Sequence, residues 1–512
     1  MLKRRYIKKL LVLGCLVVIF LLMADDIYKE KEYCMGMPIL SQEDFLKYEE
    51  ELAVDISKLT FCEEAVAVDI ESDTIFISQS SGNLIHKSEL LGSFGIDNSN
   101  YSLFILEDAA LNNLAESVRD GMPLTLVITD GMQAKRVSVI MTTLPVLKID
   151  GTPAYINEEN RDVMSGKMTM WCGYNPALET ASVQSSALEW HIRGNTASRQ
   201  EKAPWKLSLK NSKGDNNNMD LLGLGEDDDW ILNSLIMDDT RIKEKLFMDL
   251  WNEIAKESEH NYKMSTGEYV EVIINGSYKG LFLLQRRLDK KYLQLSDSDV
   301  LLKATSYRAK TVEEAYEIVG SYEDKATIYS IMQGTYDRSD CRNYNINNLI
   351  DVNIVLQLAN ARDNFGLKNM YYVLKKKTDS YEHFLVPWDT DQSFGITWKA
   401  DAETEDGFCY DYSSTMDEFD TRSETDAIIS INPNYNELAG NRWAYLKQSV
   451  LSEEHIFAVV ESITEPLNRS GALEREKQLW GQKYHGEDTI ENLRSFISER
   501  IDVLDAYYQG DK

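Results

Sequence analysis

Two carboxylates at a spacing of two, Asp389 and Asp391, follow an apolar run in Phe384-Leu385-Val386-Pro387-Trp388-Asp389-Thr390-Asp391-Gln392-Ser393-Phe394-Gly395. In extended backbone, residues two apart face the same way, so both carboxylates are expected to meet one cation. Hard ions such as Mg²⁺ take oxygen ligands and are often held by one or two carboxylates plus substrate phosphates. A polar turn whose Asp side chains cap backbone groups is the plain alternative. Upstream, Arg362-Asp363-Asn364-Phe365-Gly366-Leu367-Lys368-Asn369 offers a third carboxylate, Asp363, and an amide, Asn369. Further upstream, Arg193, Arg199, Lys202 and Lys206 surround a Gly194-Asn195 turn. Free turn N–H groups and nearby positive charge can cover an anionic phosphate chain; an amphipathic hairpin with solvated lysines is the plain alternative. Phosphoryl transfer from ATP needs a cation on the phosphates, a carboxylate near the attacking hydroxyl, and acidic or amide ligands for Mg²⁺.

These residues need elements to position them. Phe384–Val386 reads as a strand, Met370–Leu374 as its partner across a polar turn, and Asn348–Ala361 as an apolar helix leading to Asp363. On the strand after the Gly-Asn turn, Trp205, Leu207 and Leu209 alternate with Lys206, Ser208 and Lys210, which makes Lys206 the cleaner inward candidate for phosphate contact. Asp238–Lys256 has helical spacing at Ile242, Leu246, Phe247, Leu250 and Ile254, and Glu244 and Glu253 lie on it. Tyr269–Gln285 is a hairpin around Asn275-Gly276. Residues 290–345 read as helix and loop, 400–426 as an acidic loop, and Arg442–Leu451, Glu453–Leu467 and Thr489–Tyr508 as packing helices. Residues 27–145 read as a separate, mostly β module, with short helices at Gln42–Leu52 and Leu106–Arg119.

The chain has 512 residues and a net charge of −30. That length is enough for several domains. The acid excess argues against general nucleic-acid binding and favours basic partners. Six cysteines without a C-x-x-C pair, and six scattered histidines, argue against zinc; Cys34–Cys62 is a possible disulfide in an exported chain. Lys3, Arg4, Arg5, Lys8 and Lys9 precede an apolar run, Leu10–Met23. This pattern predicts an uncleaved signal anchor, with a cleaved signal peptide as the alternative. The basic cluster then stays cytoplasmic and the bulk of the chain lies outside, membrane-anchored or secreted.

Several stretches, in order, resemble one family. They are Ile192-Arg-Gly-Asn-Thr-Ala-Ser-Arg with Lys202 and Trp205-Lys-Leu-Ser-Leu, Leu221-Leu-Gly-Leu with Asp229-Trp-Ile-Leu-Asn, Asp239-Thr-Arg241, Asn275-Gly-Ser-Tyr-Lys-Gly-Leu-Phe-Leu-Leu, Asp363 with Asn369, and Pro387-Trp-Asp-Thr-Asp-Gln-Ser-Phe-Gly. The set resembles the spore coat protein H-like (CotH) kinase family over roughly residues 143–510. The resemblance implies an α+β, reduced and atypical protein-kinase-like fold of two lobes, a β-rich one at 146–289 and a helical one at 290–512. The mostly β accessory module (27–145) and the leader (1–26) would precede it. It implies Mg²⁺-dependent transfer of phosphate from ATP to serine or threonine of proteins, with Mn²⁺ as a possible substitute and basic, Ser-rich acceptors as candidates. By position, Asp363 would orient the acceptor hydroxyl. Asp389 would bind metal, with Asp391 and Asn369 assisting. Lys202 or Lys206 would contact the phosphates, Arg193, Asn195 and Arg199 would help bind the nucleotide, and Glu244 or Glu253 would pair the lysine.

The chain departs from protein kinases in lacking G-x-G-x-x-G, V-A-I-K and H-R-D, and its Asp363–Asn369 spacing is one residue longer than in the H-R-D-x-x-x-x-N loop. It departs from the family pattern at Gln285-Arg286-Arg287, where a Glu is usual, and in the Thr-Ala-Ser turn. An inert surface or adhesion protein on the same scaffold is therefore the alternative. A hydrolase built on Asp389 and Asp391 is the remote one, disfavoured by the lack of nearby histidines.

Overall fold

Strand alternation organises the middle of the chain into a closed barrel. The computed structural model describes residues 39–509, apart from 49–50, 62, 80–93, 97–99, 108–115, 118–119, 153–161, 176–179, 195–196, 259–261, 307, 338, 365–367, 399–407, 411–431 and 485. The predicted anchor at Leu10–Met23, the Cys34–Cys62 pair, Asn195, most of the helix expected at Leu106–Arg119 and nearly all of the acidic loop lie outside the described residues. Among the described residues, no helix is long and apolar enough to cross a membrane.

The barrel strands are β1 (Val146–Gly151), β2 (Met164–Asn175), β3 (Thr180–Ile192), β4 (Trp205–Lys210), β5 (Asp229–Asn233), β6 (Gly267–Ile274) and β7 (Ser277–Arg286). They run β1-β2-β3-β4-β5-β7-β6, and β6 returns to β1. All neighbours are antiparallel except β1 and β6, which close the barrel in parallel with Val146 opposite Glu271. Closure works because alternate residues are apolar. Trp205, Leu207 and Leu209 point inward with Leu188, Trp190, Trp230 and Phe282, and the Trp190 and Trp205 rings stack at 5.3 Å. Burying each such side chain contributes on the order of 2–3 kcal/mol. Lys206, Ser208 and Lys210 are thereby turned to the outer face, so the inward orientation expected for Lys206 is reversed with respect to the barrel.

The hairpin β6–β7 turns at Asn275-Gly276, both left-handed, as an Asn-Gly pair favours. The Gly276 carbonyl accepts the Ile70 N–H at 2.7 Å, and Phe76 stacks on Tyr278 at 4.7 Å. These contacts seat the N-terminal sheet on the barrel. That sheet has six strands in the spatial order Ile39–Leu40, Ser102–Leu106, Leu124–Thr129, Ala134–Thr142, Thr74–Ser78 and Ala67–Asp69. The helix expected at Gln42–Leu52 is one turn, Gln42–Phe45.

Helix α1 (Lys243–Glu257) crosses between β5 and β6. A four-stranded sheet follows, built from β8 (Val300–Thr305), β9 (Tyr316–Ile318), β10 (Lys368–Lys376) and β11 (Tyr381–Pro387) in the order β9-β8-β10-β11. Helices α2 (Lys325–Tyr336) and α3 (Ile346–Ala359) lie between β9 and β10 in the chain, and α4 (Tyr435–Leu446), α5 (Glu453–Arg469), α6 (Ala472–Trp480) and α7 (Ile490–Gln509) complete the C-terminal part. One apolar core joins α1, the four-stranded sheet and these helices. The architecture is mixed α+β. The region expected to be helix and loop, 290–345, contributes two strands, β8 and β9.

Helix α6 was not marked by the sequence reading, and it fastens the barrel. Its Glu476 accepts from Lys202 at 2.6 Å, from Arg241 at 2.9 Å and from the Leu281 N–H at 2.8 Å. Arg475 binds Glu271 on β6, the Ser470 carbonyl, and the Gly121 carbonyl near the N-terminal sheet. Gly280 on β7 sits at φ +86°, and a Cβ there would lie 2.1 Å from Glu476 Oε2. Only a residue without a side chain lets α6 approach this closely.

Candidate functional site

The four-stranded sheet delivers the central residues. Apolar β11 carries the chain to Pro387, where ladder pairing with Met370 ends. The backbone then bends: Asn369, Asp389 and Phe394 are left-handed at φ 54°, 58° and 50°, as is Asn360 at the end of α3 at 51°. Non-glycine residues in this region are sparse and cluster at functional sites. Asp389 therefore does not lie in extended backbone, and the expectation that alternation alone aligns it with Asp391 fails at that residue. Hydrogen bonds fix the bend instead. Asn364 Nδ2 donates to the Asn369 and Trp388 carbonyls at 2.9 and 2.7 Å, Trp388 N–H to the Asn369 carbonyl at 3.1 Å, and Phe394 N–H to the Ala359 carbonyl at 2.6 Å.

Asp363 lies on a short 3-10 turn after α3. Its carboxylate accepts from Lys368 Nζ at 2.9 and 2.6 Å, from Asn369 Nδ2 at 2.8 Å and from Gln392 Nε2 at 3.4 Å. Asn369 Nδ2 also reaches the Asp389 carbonyl at 3.4 Å. Its amide nitrogen is thus committed inward, and among the described residues nothing donates to its Oδ1.

Glu244 enters from α1. The loop before that helix aims it. Asp238 accepts from Thr240 N at 2.8 Å and Lys243 N at 2.8 Å, Arg241 is left-handed at φ 61°, and the Tyr269 hydroxyl donates to the Arg241 carbonyl at 2.8 Å. The Asp239-Thr-Arg241 stretch is thus a helix-setting device. Glu244 accepts from Thr390 Oγ1 at 3.2 Å and Gln285 Nε2 at 3.4 Å, while Phe247, one turn on, meets Phe394 edge-on at 6.5 Å.

Four acids therefore gather here, and they perturb one another. Burial, then the Asp389 charge, pushes the Glu244 carboxyl up to about 7. Burial, followed by Asp389, Glu244 and Asp363, holds Asp391 well above the ordinary carboxylate range. Burial also raises Asp363 against the opposing pull of Lys368. The half-buried Asp389 carboxylate accepts no hydrogen bond and forms no ion pair among the described residues. No three His, Cys, Asp or Glu side chains converge as a ready metal cage among the described residues. The donor set that is present comprises two half-buried carboxylates and the Asn369 Oδ1. That fits an ion of the Mg²⁺ kind, which completes its shell with water and phosphate rather than protein.

The expected cations divide. Lys202 does not join the cluster. Its side chain is 1% exposed, paired with Glu476 at 2.6 Å and bonded to the Leu281 carbonyl; burial pulls its ammonium down to about 7 against the attraction of Glu476. Contact with a phosphate would require breaking that pair. Lys206 pairs with Asp229 at 3.0 Å on the outer barrel face, and the same carboxylate takes Arg287 at 2.7 Å. Burial pushes Asp229 up, but Ser208, Lys206 and Arg287 outweigh it and hold the carboxyl low. Arg199 is exposed on the turn Ala197–Arg199. Arg193 does reach the site, its guanidinium 5.7 Å from the Trp388 ring centre.

Neither α1 glutamate pairs a lysine of the hairpin: Glu244 faces Thr390, and Glu253 meets His455 at 2.7 Å. Arg286, standing where the family has Glu, is tied to Asp227 at 2.6 Å and supports the 224–227 loop. Sequence reasoning missed Lys368, Thr390 and Gln392, which bond the acids, and Lys303 on β8, which lies 6.0 Å from the ring centres of both Tyr371 and Trp388. Lys368 stands beside Asn369 in sequence, and that adjacency was its available signal.

The family model "CotH kinase protein" matches residues 190–504, a span that includes all of these site residues and excludes the N-terminal sheet. No curated protein matches the chain.

Proposed function

Starting from the fact that this chain belongs to the CotH kinase family, we propose that it transfers the γ-phosphate of ATP to a serine or threonine hydroxyl of a protein. The observation that carries this reading is the cluster of Asp363, Asp389, Asp391 and Glu244, in which burial first, and the neighbouring acids after it, raise the proton affinities of Asp363, Asp391 and Glu244. Such a site gains by taking up a divalent cation. Asp389, Asp391 and the Asn369 Oδ1 would hold Mg²⁺ or Mn²⁺, which when bound neutralises phosphate charge.

The chain's own residues orient the reaction. Asp363, fixed by Lys368 and Asn369, accepts a hydrogen bond from the attacking hydroxyl. The hydroxyl oxygen bonds to the γ-phosphorus, the bond from that phosphorus to the bridging oxygen breaks, ADP leaves, and the hydroxyl proton passes to Asp363 or to solvent. Phosphoryl transfer is mostly positioning and charge stabilisation, and the left-handed residues at 369, 389 and 394 supply a pre-set backbone. The domain lies in a two-lobed arrangement on this reading, with the barrel and α1 facing the four-stranded sheet and C-terminal helices. The acidic chain favours basic, Ser-rich acceptors, and the N-terminal basic-apolar stretch supports a domain held on the outer side of a membrane or secreted.

The test is incubation of the purified chain with γ-labelled ATP, Mg²⁺ and a basic Ser-rich protein, in parallel with Asp389→Ala. Label on the acceptor with the wild type alone supports the kinase. A folded wild type that neither binds Mg·ATP nor transfers label moves the chain to the inert surface-protein reading.

A further inference from the structure

Besides the acids, the site contains two cations without an ion-pair partner among the described residues. Lys303 projects from β8, whose neighbours Leu301, Leu302 and Ala304 are buried. It stands in register with Tyr371 on β10 and Glu317 on β9. No ion pair forms with the exposed Glu317; the ammonium lies over the Tyr371 and Trp388 rings instead. Arg193 reaches the same Trp388 from the end of β3. Among the described residues, neither Arg193 nor Lys303 has a hydrogen-bonded or ion-pair partner for its charge. The Trp388 indole N–H is a third donor without an acceptor, on a side chain 4% exposed.

Two like charges converging on one ring, partly desolvated, cost free energy unless an anion joins them. Burial and then Arg193 hold the Lys303 ammonium below its ordinary range, with Asp389 and Glu317 opposing. Trp388 immediately precedes Asp389, so the cations border the proposed metal position. Lys202 and Lys206, by contrast, are neutralised by Glu476 and Asp229.

We propose that Arg193 and Lys303, meeting at Trp388, form the phosphate-binding grip of this chain, one from the barrel and one from the four-stranded sheet, and that Lys202 has no part in it. This rests on the kinase reading only for the identity of the ligand, a nucleoside triphosphate. The cations themselves call for a phosphate-type anion of any origin. A ligand so held bridges the two parts of the domain.

The test uses the full chain and its Lys303→Met, Arg193→Met and doubly substituted forms, with titration of Mg·ATP, inorganic pyrophosphate and adenosine followed by calorimetry. A charged hydrogen bond is worth roughly 10- to 100-fold in affinity. Each single variant is expected to weaken Mg·ATP by at least about 10-fold, the double more, with adenosine unchanged and thermal unfolding no lower than wild type. Wild-type affinity for Mg·ATP in Lys303→Met, in a chain that transfers phosphate, overturns the grip and leaves the kinase standing. Pyrophosphate binding that depends on both cations, in a chain that transfers nothing, supports the grip and overturns the kinase. Absence of binding to either phosphate ligand by the wild type overturns the grip outright.

Discussion

Around Glu476 one carboxylate meets an ammonium, a guanidinium and a backbone N–H. Among the described residues around Asp389, four carboxylates share a single bonded ammonium, Lys368, and two further cations stand off at Trp388 without ion-pair partners. Both places are buried or nearly so, and both are rich in charge. In the first, every one of these charged groups is bonded to a partner, and nothing in it calls for a ligand. The second is unbalanced in two adjoining halves, negative and positive, which is the form of a site that expects a cation and an anion together. Buried charge is therefore a poor guide to function until its compensation is known. Burial pulls the Lys202 ammonium down to about 7, and yet Lys202 belongs to the first place, where every charge is bonded.

The contrast breaks most decisively at Asp389. Asp389→Ala should lower phosphate transfer by about 1,000-fold or more while leaving thermal stability equal or higher, because a repelling charge is gone. A variant that retains transfer removes the acid cluster from the chemistry. At the other place the effect falls on folding. Lys202→Met leaves Glu476 to Arg241 and the Leu281 N–H but removes the buried bonds from Lys202 to Glu476 and to the Leu281 carbonyl, and should cost about 1–3 kcal/mol, read as a lower urea midpoint. If the variant instead keeps its midpoint and loses Mg·ATP affinity, Lys202 must be returned to the phosphate site.

Acidity separates the two places further. The folded Glu244 carboxyl titrates at about 7 against an ordinary 4.5, so the folded chain binds this proton more tightly than the unfolded one. Its contribution to stability is complete below about pH 4.5 and is lost as pH rises through about 7, at most about 3 kcal/mol. Asp363 and Asp391, also raised, act with the same sign. Stability measured across that window should fall with pH, Glu244→Gln should flatten the fall, and Mg²⁺ should oppose it. A profile unmoved by Mg²⁺ would argue that the acids bind no cation. The smallest effect belongs to Lys206→Ala. Its partly exposed pair with Asp229 is backed by Arg287, and the loss should stay under about 1 kcal/mol. A larger drop in Mg·ATP affinity would restore Lys206 to the phosphates.

Local signals carried much of the architecture. The Asn275-Gly276 hairpin, the apolar face of α1, and the helix-strand-turn-strand run around Asp363 and Asp389 all stand where periodicity and turn chemistry put them, within a few residues. The acids of the site were legible because one short unit, from α3 to the bend after β11, carries three of them. What escaped depends on distant partners. The fate of Lys202 was decided by Glu476, 274 residues later, on a helix whose polar sequence drew no attention. Lys303 escaped because a charged, tyrosine-rich segment read as helix and loop, although three of its residues before Lys303, Val300-Leu301-Leu302, are buried strand. Parallel closure of β1 on β6 leaves no local trace, since either strand alone fits an open sheet.

That closure has a bearing on how the chain is made. Val146–Gly151 leaves the ribosome with one edge unpaired and must wait for Gly267–Ile274 to cover it, and Lys202 stays an unmatched cation until residue 476 emerges. Long-range pairings are slow to form and expose strand edges in the meantime. The nascent protein therefore carries an open barrel from residue 146 until β6 and β7 have emerged at residue 286, and α6, arriving near the end, acts as the latch that commits it.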